Sequence, residues 1–467
     1  MTRAPVADLL EGLLEGAAEG ADVVIVGAGS AGSVLAERLS ADPGRRVWVL
    51  ESGPGPDDPA VRALTADATA LPIGADSPVV RHYRTLLTDQ PPRPADIVRG
   101  ECVGGSGAVN GGYFCRALQA DLGWAPGWSW TDVEQHYRAV ESRVGIRRVA
   151  VPGGPTAAFV AAAREAGYRW LPDLNADEVT ANGPPGVGAV PLNIVDGTRS
   201  GPGAAFLVPA SHRPNLTVHA GTRVTRVHVA GGRAVGVDAV GPDGPVRLHA
   251  DRVVLCAGAL GSAHLLMLSG IGPVAVLRAC GVDPVADLPV GCGVWDHPEW
   301  LLDTGWDGLA DHPVLEAVLV SDGVEIRPYT RGFGAGRPQI GVALMRPRSR
   351  GRVSLASADP SVPPRIEHRY DSDPADAAAL AEGCAGLADM LSGVAELGEP
   401  VWSTSQHLCG SAPMAPDDDE RSVVDEQCRV RGIEGLWVID GSVLPTPLAR
   451  GPHATIAMLA HRAAEFV

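Results

Sequence analysis

At 467 residues, 45% hydrophobic and 20% charged, the chain has a globular composition and the length for two intimately joined domains. Its formal charge of −17 argues against nucleic acid and against docking on anionic lipid, both of which require a basic footprint. The eight cysteines are scattered without a CxxC pair, so no metal is expected and reduced thiols in a cytoplasm are the reading.

In chain order, Met1 to Ala21 offers only Arg3 as a basic start, and Asp8, Glu11, Glu15 and Glu19 break up its apolar residues. That is not the pattern of a secretory leader. Leu9, Leu10, Leu13 and Leu14 predict a short amphipathic helix instead. No apolar run approaches the roughly 18 residues that span a bilayer, so any membrane contact would be peripheral.

Asp22 to Val26 reads DVVIV, an apolar run suited to a buried parallel strand. It leads straight into Gly27-Ala28-Gly29-Ser30-Ala31-Gly32 and the amphipathic segment Ser33 to Leu39; a second apolar strand, Val47 to Leu50, ends at Glu51. Strand, glycine turn, helix, strand and acidic residue about 20 positions on form the context of a dinucleotide site. Gly27 permits the tight turn, Gly29 admits the pyrophosphate and Gly32 lets the helix pack closely. The helix start at Ser30 and Ala31 offers unpaired N–H groups to phosphate. Glu51 is placed to accept from ribose hydroxyls and to repel a 2′-phosphate. None of this separates FAD from NAD.

The segment 55–98, rich in Pro and Asp, reads as an excursion or lid. Arg99 to Arg116, RGECVGGSGAVNGGYFCR, is too glycine-rich for a helix or central strand and describes backbone lying against something flat or charged. Trp124, Trp128 and Trp130 read as a packing cluster at a helix entry. A strand is predicted over Arg223 to Val229. The buried strand Arg252 to Ala257 precedes a helix that starts near Gly261 and stops at Ser269-Gly270.

These two glycine-bearing segments resemble the signature patterns of the glucose–methanol–choline (GMC) oxidoreductases. Glu101 stands where a basic or amide residue is usual, and Ala263 where Ser or Pro is usual. The GxGxxG unit, Asp296-His297-Pro298 and the C-terminal block fit the same family in the same order, so the resemblance spans the chain. It implies FAD rather than NAD. By position, Gly105, Ser106, Asn110, Gly111 and Gly112 would line the pyrophosphate and isoalloxazine, and Val224 would meet the adenine through its backbone. No histidine lies between Arg99 and Arg116, so the FAD is expected to be non-covalent.

In the C-terminal block, Ser405-Gln406-His407 to Met414 resembles the family's HxxGT stretch, with Ser411 replacing Thr. The resemblance makes His407 and His453 catalytic. A neutral histidine suits removal of a hydroxyl proton while hydride passes to the flavin; His407 is read as the base and His453 as its partner. Asp440-Gly441 would return the chain to the ribityl and phosphate region. The last helix, with Ala454 and Thr455 at its start, could direct its positive end at the reduced flavin. His82, His264, His297 and His368 are read as structural, and Asp417 to Glu420 as a solvated turn.

The resemblance implies an α/β fold, a Rossmann-like FAD-binding domain with a parallel sheet plus a substrate domain on a mixed or antiparallel sheet. The expected boundaries are 1–150, 196–298 and 401–467 for the first, 151–195 and 299–400 for the second. Within the latter, strands are predicted at Val314 to Val320, Ile340 to Met345 and Gly351 to Leu355, and a helix from Pro374 to Leu391; Arg327, Tyr329 and Arg346 are candidate pocket residues. Five stretches (104–116, 192–197, 366–372, 402–414 and 450–456) resemble the mycofactocin-associated branch of the family. That implies reduced mycofactocin as donor and electrons passed towards a respiratory chain. Direct oxidation of an alcohol, choline or a sugar uses the same residues, and a non-redox FAD-containing lyase is a further alternative.

Overall fold

In the strand Ala21–Val26, Val23, Val24 and Ile25 are all inaccessible to solvent, as a strand covered on both faces requires. This comes from a computed structural model that describes residues 20–150, 152–309, 311–333, 336–416 and 419–467. The helix expected over Leu9 to Leu14 lies outside them, as do Asp417 and Asp418. Ala21–Val26 is the middle of five parallel strands, in the order Leu436–Val438, Gly244–Leu255, Ala21–Val26, Val47–Leu50, Leu216–His219. Gly244–Leu255 pairs parallel with its second half. With its first half it joins an antiparallel meander with Arg233–Gly241 and Arg223–Ala230. The helices Ser30–Leu39 and His453–Ala463 pack together beside this sheet, and Trp130–Val144 packs on the latter. Val26, Leu50 and Cys256, at the carboxyl ends of the strands, open into one cavity, the place where open α/β sheets bind ligands.

A second sheet of seven strands runs in the order Val401–Thr404, Pro298–Asp303, Gln339–Leu344, Val324–Pro328, Ala317–Ser321, Gly186–Ala189, Trp170–Leu171. Its side chains alternate with the strand period of two. Leu302, Ile326 and Val342 face the helices Gly154–Glu165 and Pro374–Met390, where they meet Phe159 and Leu380. Glu299, Leu301 and Arg327 face the cavity.

The excursion expected at 55–98 is more regular than its composition suggested. It contains the helix Pro59–Ala66 and a long hairpin, Val80–Asp89 with Pro92–Gly100, in a five-stranded sheet. Pro92 and Pro94 are tolerated because their strand is at the sheet edge, where a missing N–H costs no ladder bond. The hairpin ends at Val98 to Gly100 on the cavity wall. The helix predicted near Gly261 starts at Gly258, and the last helix at His453. Trp128 is fully buried and stacks on Trp124.

Two glycines should respond oppositely to alanine. A Cβ on Gly32 would lie 1.9 Å from the Gly27 carbonyl oxygen, whereas on Gly386, exposed on the helix Pro374–Met390, it would meet nothing within 4 Å. Gly32→Ala should lower unfolding free energy by about 1–3 kcal/mol, and Gly386→Ala should raise it by up to about 1 kcal/mol, both measured by urea unfolding.

Candidate active site

The cavity, about 600 Å³, extends from Glu51 and the Gly27 turn past Gly105 and Ser106 to His407, His453 and Arg327. Its first half is built by backbone at close quarters. Gly105 has φ +54, and a Cβ there would come 2.8 Å from Gly29 Cα. The two glycine turns therefore touch, which the second could not do with a side chain at Gly105. Glu51 pins the first turn: Oε2 accepts from Ala28 N–H at 2.8 Å and Oε1 from Gly53 N–H at 2.9 Å. Burial raises its pKa to about 6, so it is ionised at neutral pH. Asp440 ties the C-terminal turn to the helix Gly258–Leu268, accepting from Gly258 N–H at 2.8 Å and Ser262 Oγ–H at 2.6 Å.

Of the residues expected to touch a cofactor, Gly32, Gly112, Ala454 and Thr455 sit behind the cavity wall; the others line it. Gly32 faces the Gly27 carbonyl and Gly112 faces Ile194. Thr455 hydrogen-bonds Tyr137. Ala454 is fully buried.

The two histidines stand at the far end in different bonding states. His453 Nε2 lies 3.1 Å from Ser30 Oγ, and Nδ1 lies 3.1 Å from Asn110 Nδ2. Asn110 Oδ1 accepts from Gly112 N–H, which orients the amide so that Nδ2 donates to the ring. Both nitrogens of His453 are thus engaged by the protein, and burial lowers its pKa to about 4. His407 differs. Its Nδ1 meets Nδ1 of His297 at 2.8 Å, while Nε2 has no hydrogen-bond partner among the described residues and lies beside Gly451. Burial, helped by the charges of neighbouring basic groups, holds its pKa well below the usual histidine value. At neutral pH it is a neutral imidazole with one nitrogen free toward a cavity.

Asp296 brings this about. Oδ1 accepts the main-chain N–H of His297 at 2.7 Å and of His407 at 2.8 Å, and Oδ2 accepts from Thr404 Oγ1–H at 2.7 Å. Sequence reasoning placed His297 among structural histidines. The signal available was its position directly after a buried acid in a family motif.

The substrate-sheet wall carries a buried ionic cluster. Arg327 Nε donates to Glu325 at 2.8 Å and Nη1 to Glu299 at 3.2 Å; Tyr329 Oη–H donates to Glu299 at 2.7 Å and Tyr113 Oη–H to Glu325 at 2.9 Å. Glu299, Glu325 and Tyr113 were not singled out from sequence, although VEIRP alternation alone puts Glu325 and Arg327 on one face. Arg346, the third pocket candidate, pairs with Asp121 and does not line this cavity. Leu71, Ile73, Val109, Val314 and Phe333 add apolar side chains to the lining, which also carries polar ones such as Arg81, Arg99 and Gln406. Among the described residues no group of His, Cys, Asp or Glu could hold a metal ion.

Comparison with known proteins bears on the family and the fold. Two family models, each described as GMC oxidoreductase, match residues 21–299 and 347–460. An uncharacterized GMC-type oxidoreductase of Rhodococcus erythropolis is 39% identical over 96% of this chain and 98% of its own length. An oxygen-dependent choline dehydrogenase of Pseudomonas aeruginosa is 31% identical, covering 95% and 94%. The crystal structure of pyridoxine 4-oxidase from Mesorbium loti superimposes with a TM-score of 0.84 at 27% identity, covering 95% and 98%.

Glu51→Gln should test the dinucleotide end. It replaces one carboxylate oxygen by an amide donor facing Ala28 or Gly53 N–H, and dinucleotide affinity should fall about 10-fold or more, read by titrating the stripped protein with FAD.

Proposed function

This chain belongs to the GMC oxidoreductases, and from that footing we propose that it oxidises the CH–OH carbon of reduced mycofactocin, with His407 as base, and passes electrons towards a respiratory chain. It is an FAD-dependent oxidoreductase. The residues fit that cofactor: two glycine turns in mutual contact beside a buried acid leave a backbone-lined channel running to the histidines. Bound FAD supplies the hydride acceptor.

The observation that carries the mechanism is the free Nε2 of His407. Loss of hydride from an alcohol carbon requires the hydroxyl proton to leave as well, and a neutral imidazole nitrogen without a protein partner is able to take it. His453 has no such nitrogen. It joins Ser30 to Asn110 and so holds the two glycine segments in place. The 11-residue helix that it opens begins at the cavity, where the positive end of its dipole favours negative charge. The cluster around Arg327 supplies a polar floor held by its own hydrogen bonds, and the apolar side chains among the lining limit water at the reacting carbon.

Support for mycofactocin as donor lies in the five stretches that resemble that branch. Three of them, 104–116, 402–414 and 450–456, meet at the histidine end of the cavity. Direct oxidation of a small alcohol is the second reading, favoured by the likeness to the choline dehydrogenase. Among the described residues no helix is long and apolar enough to cross a membrane, so delivery of electrons to a membrane acceptor would be by peripheral contact.

One anaerobic experiment separates these readings. Reduced mycofactocin, but not ethanol, choline or glucose, should bleach the visible absorbance of the bound flavin. Bleaching by a simple alcohol alone would replace the donor, and bleaching by none would favour the lyase alternative. His407→Ala should keep its flavin while reduction slows by about 10²–10⁴-fold. Because its folded pKa is lowered, the neutral base persists as pH falls through the ordinary histidine range. The reduction rate should therefore stay flat there and decline only at more acidic pH, as stopped-flow absorbance would record.

A further inference from the structure

His297 and His407 meet through like atoms, Nδ1 to Nδ1, at 2.8 Å. Two bare nitrogens, or two N–H groups, would repel at that distance, so one ring carries the hydrogen and the other the lone pair. The far nitrogen of His297 decides which. Its Nε2 lies 2.9 Å from the Leu448 carbonyl oxygen, which only accepts, so Nε2 carries the hydrogen. Burial lowers the pKa of His297 to about 4, and a neutral ring protonated at Nε2 is bare at Nδ1. Nδ1–H of His407 must then donate to it.

We propose that His297 is a positioning residue that holds His407 in its Nδ1–H tautomer, leaving bare the Nε2 that faces the cavity. The inference rests on the reading of His407 as base and says why the nitrogen facing the cavity is the basic one. The frame is rigid at every joint. Asp296 Oδ1 holds both main chains, and Trp295 Nε1–H donates to the Leu444 carbonyl at 2.9 Å. His297 is fully buried, so no water competes for its two nitrogens. When the substrate O–H bond breaks and Nε2–H forms, His407 becomes a cation. Its Nδ1–H stays on the neutral His297, now in a charge-assisted hydrogen bond. A backbone carbonyl thus sets the protonation pattern of a base two rings away.

The test uses FAD-loaded protein labelled with ¹⁵N-histidine, read by NMR at neutral pH, alongside anaerobic flavin reduction. The wild type should show His407 protonated at Nδ1 and bare at Nε2. His297→Phe, which keeps the ring shape but offers no acceptor, should move the hydrogen to Nε2 and slow reduction by about 100-fold or more. His297→Asn, which restores an acceptor near the Nδ1 position, should recover the wild-type tautomer and most of the rate. A wild-type signal with hydrogen on Nε2 overturns the proposal, as does an unchanged tautomer in His297→Phe. If that variant does not fold, the wild-type signal and His297→Asn decide. A shifted tautomer with undiminished reduction would instead remove His407 as the base and leave the relay standing.

Discussion

Asp296 is 4% exposed, and a polar side chain so removed from water is retained only when hydrogen-bond donors surround it. Its donors are two main-chain N–H groups and a threonine hydroxyl, from segments more than 100 positions apart in the chain. The antiparallel pairing of Pro298–Asp303 with Val401–Thr404 already sets His297 opposite Ser405, and the carboxylate fixes the His297 and His407 main chains beyond it. The loop at 295–297 runs antiparallel to 407–409, tied by reciprocal bonds between Trp295 and Cys409. One buried side chain thereby fastens the loops that extend two paired strands of the substrate sheet, Pro298–Asp303 and Val401–Thr404.

A second constraint is the near absence of side chains where segments cross. A Cβ on Gly107 would lie 2.4 Å from Ser30 Oγ and 2.7 Å from His453 Nε2. The first glycine turn, the second and the start of the last helix therefore converge within hydrogen-bond reach only because glycine occupies the crossing. His453 then links all three. A residue read as half of a catalytic pair is also a structural tie, and the geometry assigns both of its nitrogens to that task.

The substrate sheet shows the opposite economy. Gly341 lies between Leu301 and Arg327 in register, and a Cβ there would overlap Glu299 Oε1 at 1.8 Å. The missing side chain makes room for a buried carboxylate, which Tyr329, Ser405 and Arg327 saturate. Replacing such a cluster with apolar groups is often neutral or favourable for stability. Its presence on the cavity face fits a role in shaping that cavity.

Sequence alone determined the dinucleotide unit, because strand, turn and helix are contiguous and each glycine answers a local steric demand. It also placed His407 and His453 through recognisable blocks and Arg327 as a pocket candidate, whereas Glu325, two positions before Arg327 in the same strand, was not singled out. The hairpin at 80–100 was obscured by prolines that only an edge position excuses. Tertiary structure decided what depends on contacts between distant segments: that His297 abuts His407, that both nitrogens of His453 are engaged, and that Arg346 turns away to Asp121. The physical reason is that a hydrogen bond depends on which atoms meet, and chain order does not record a meeting across 110 or 423 positions.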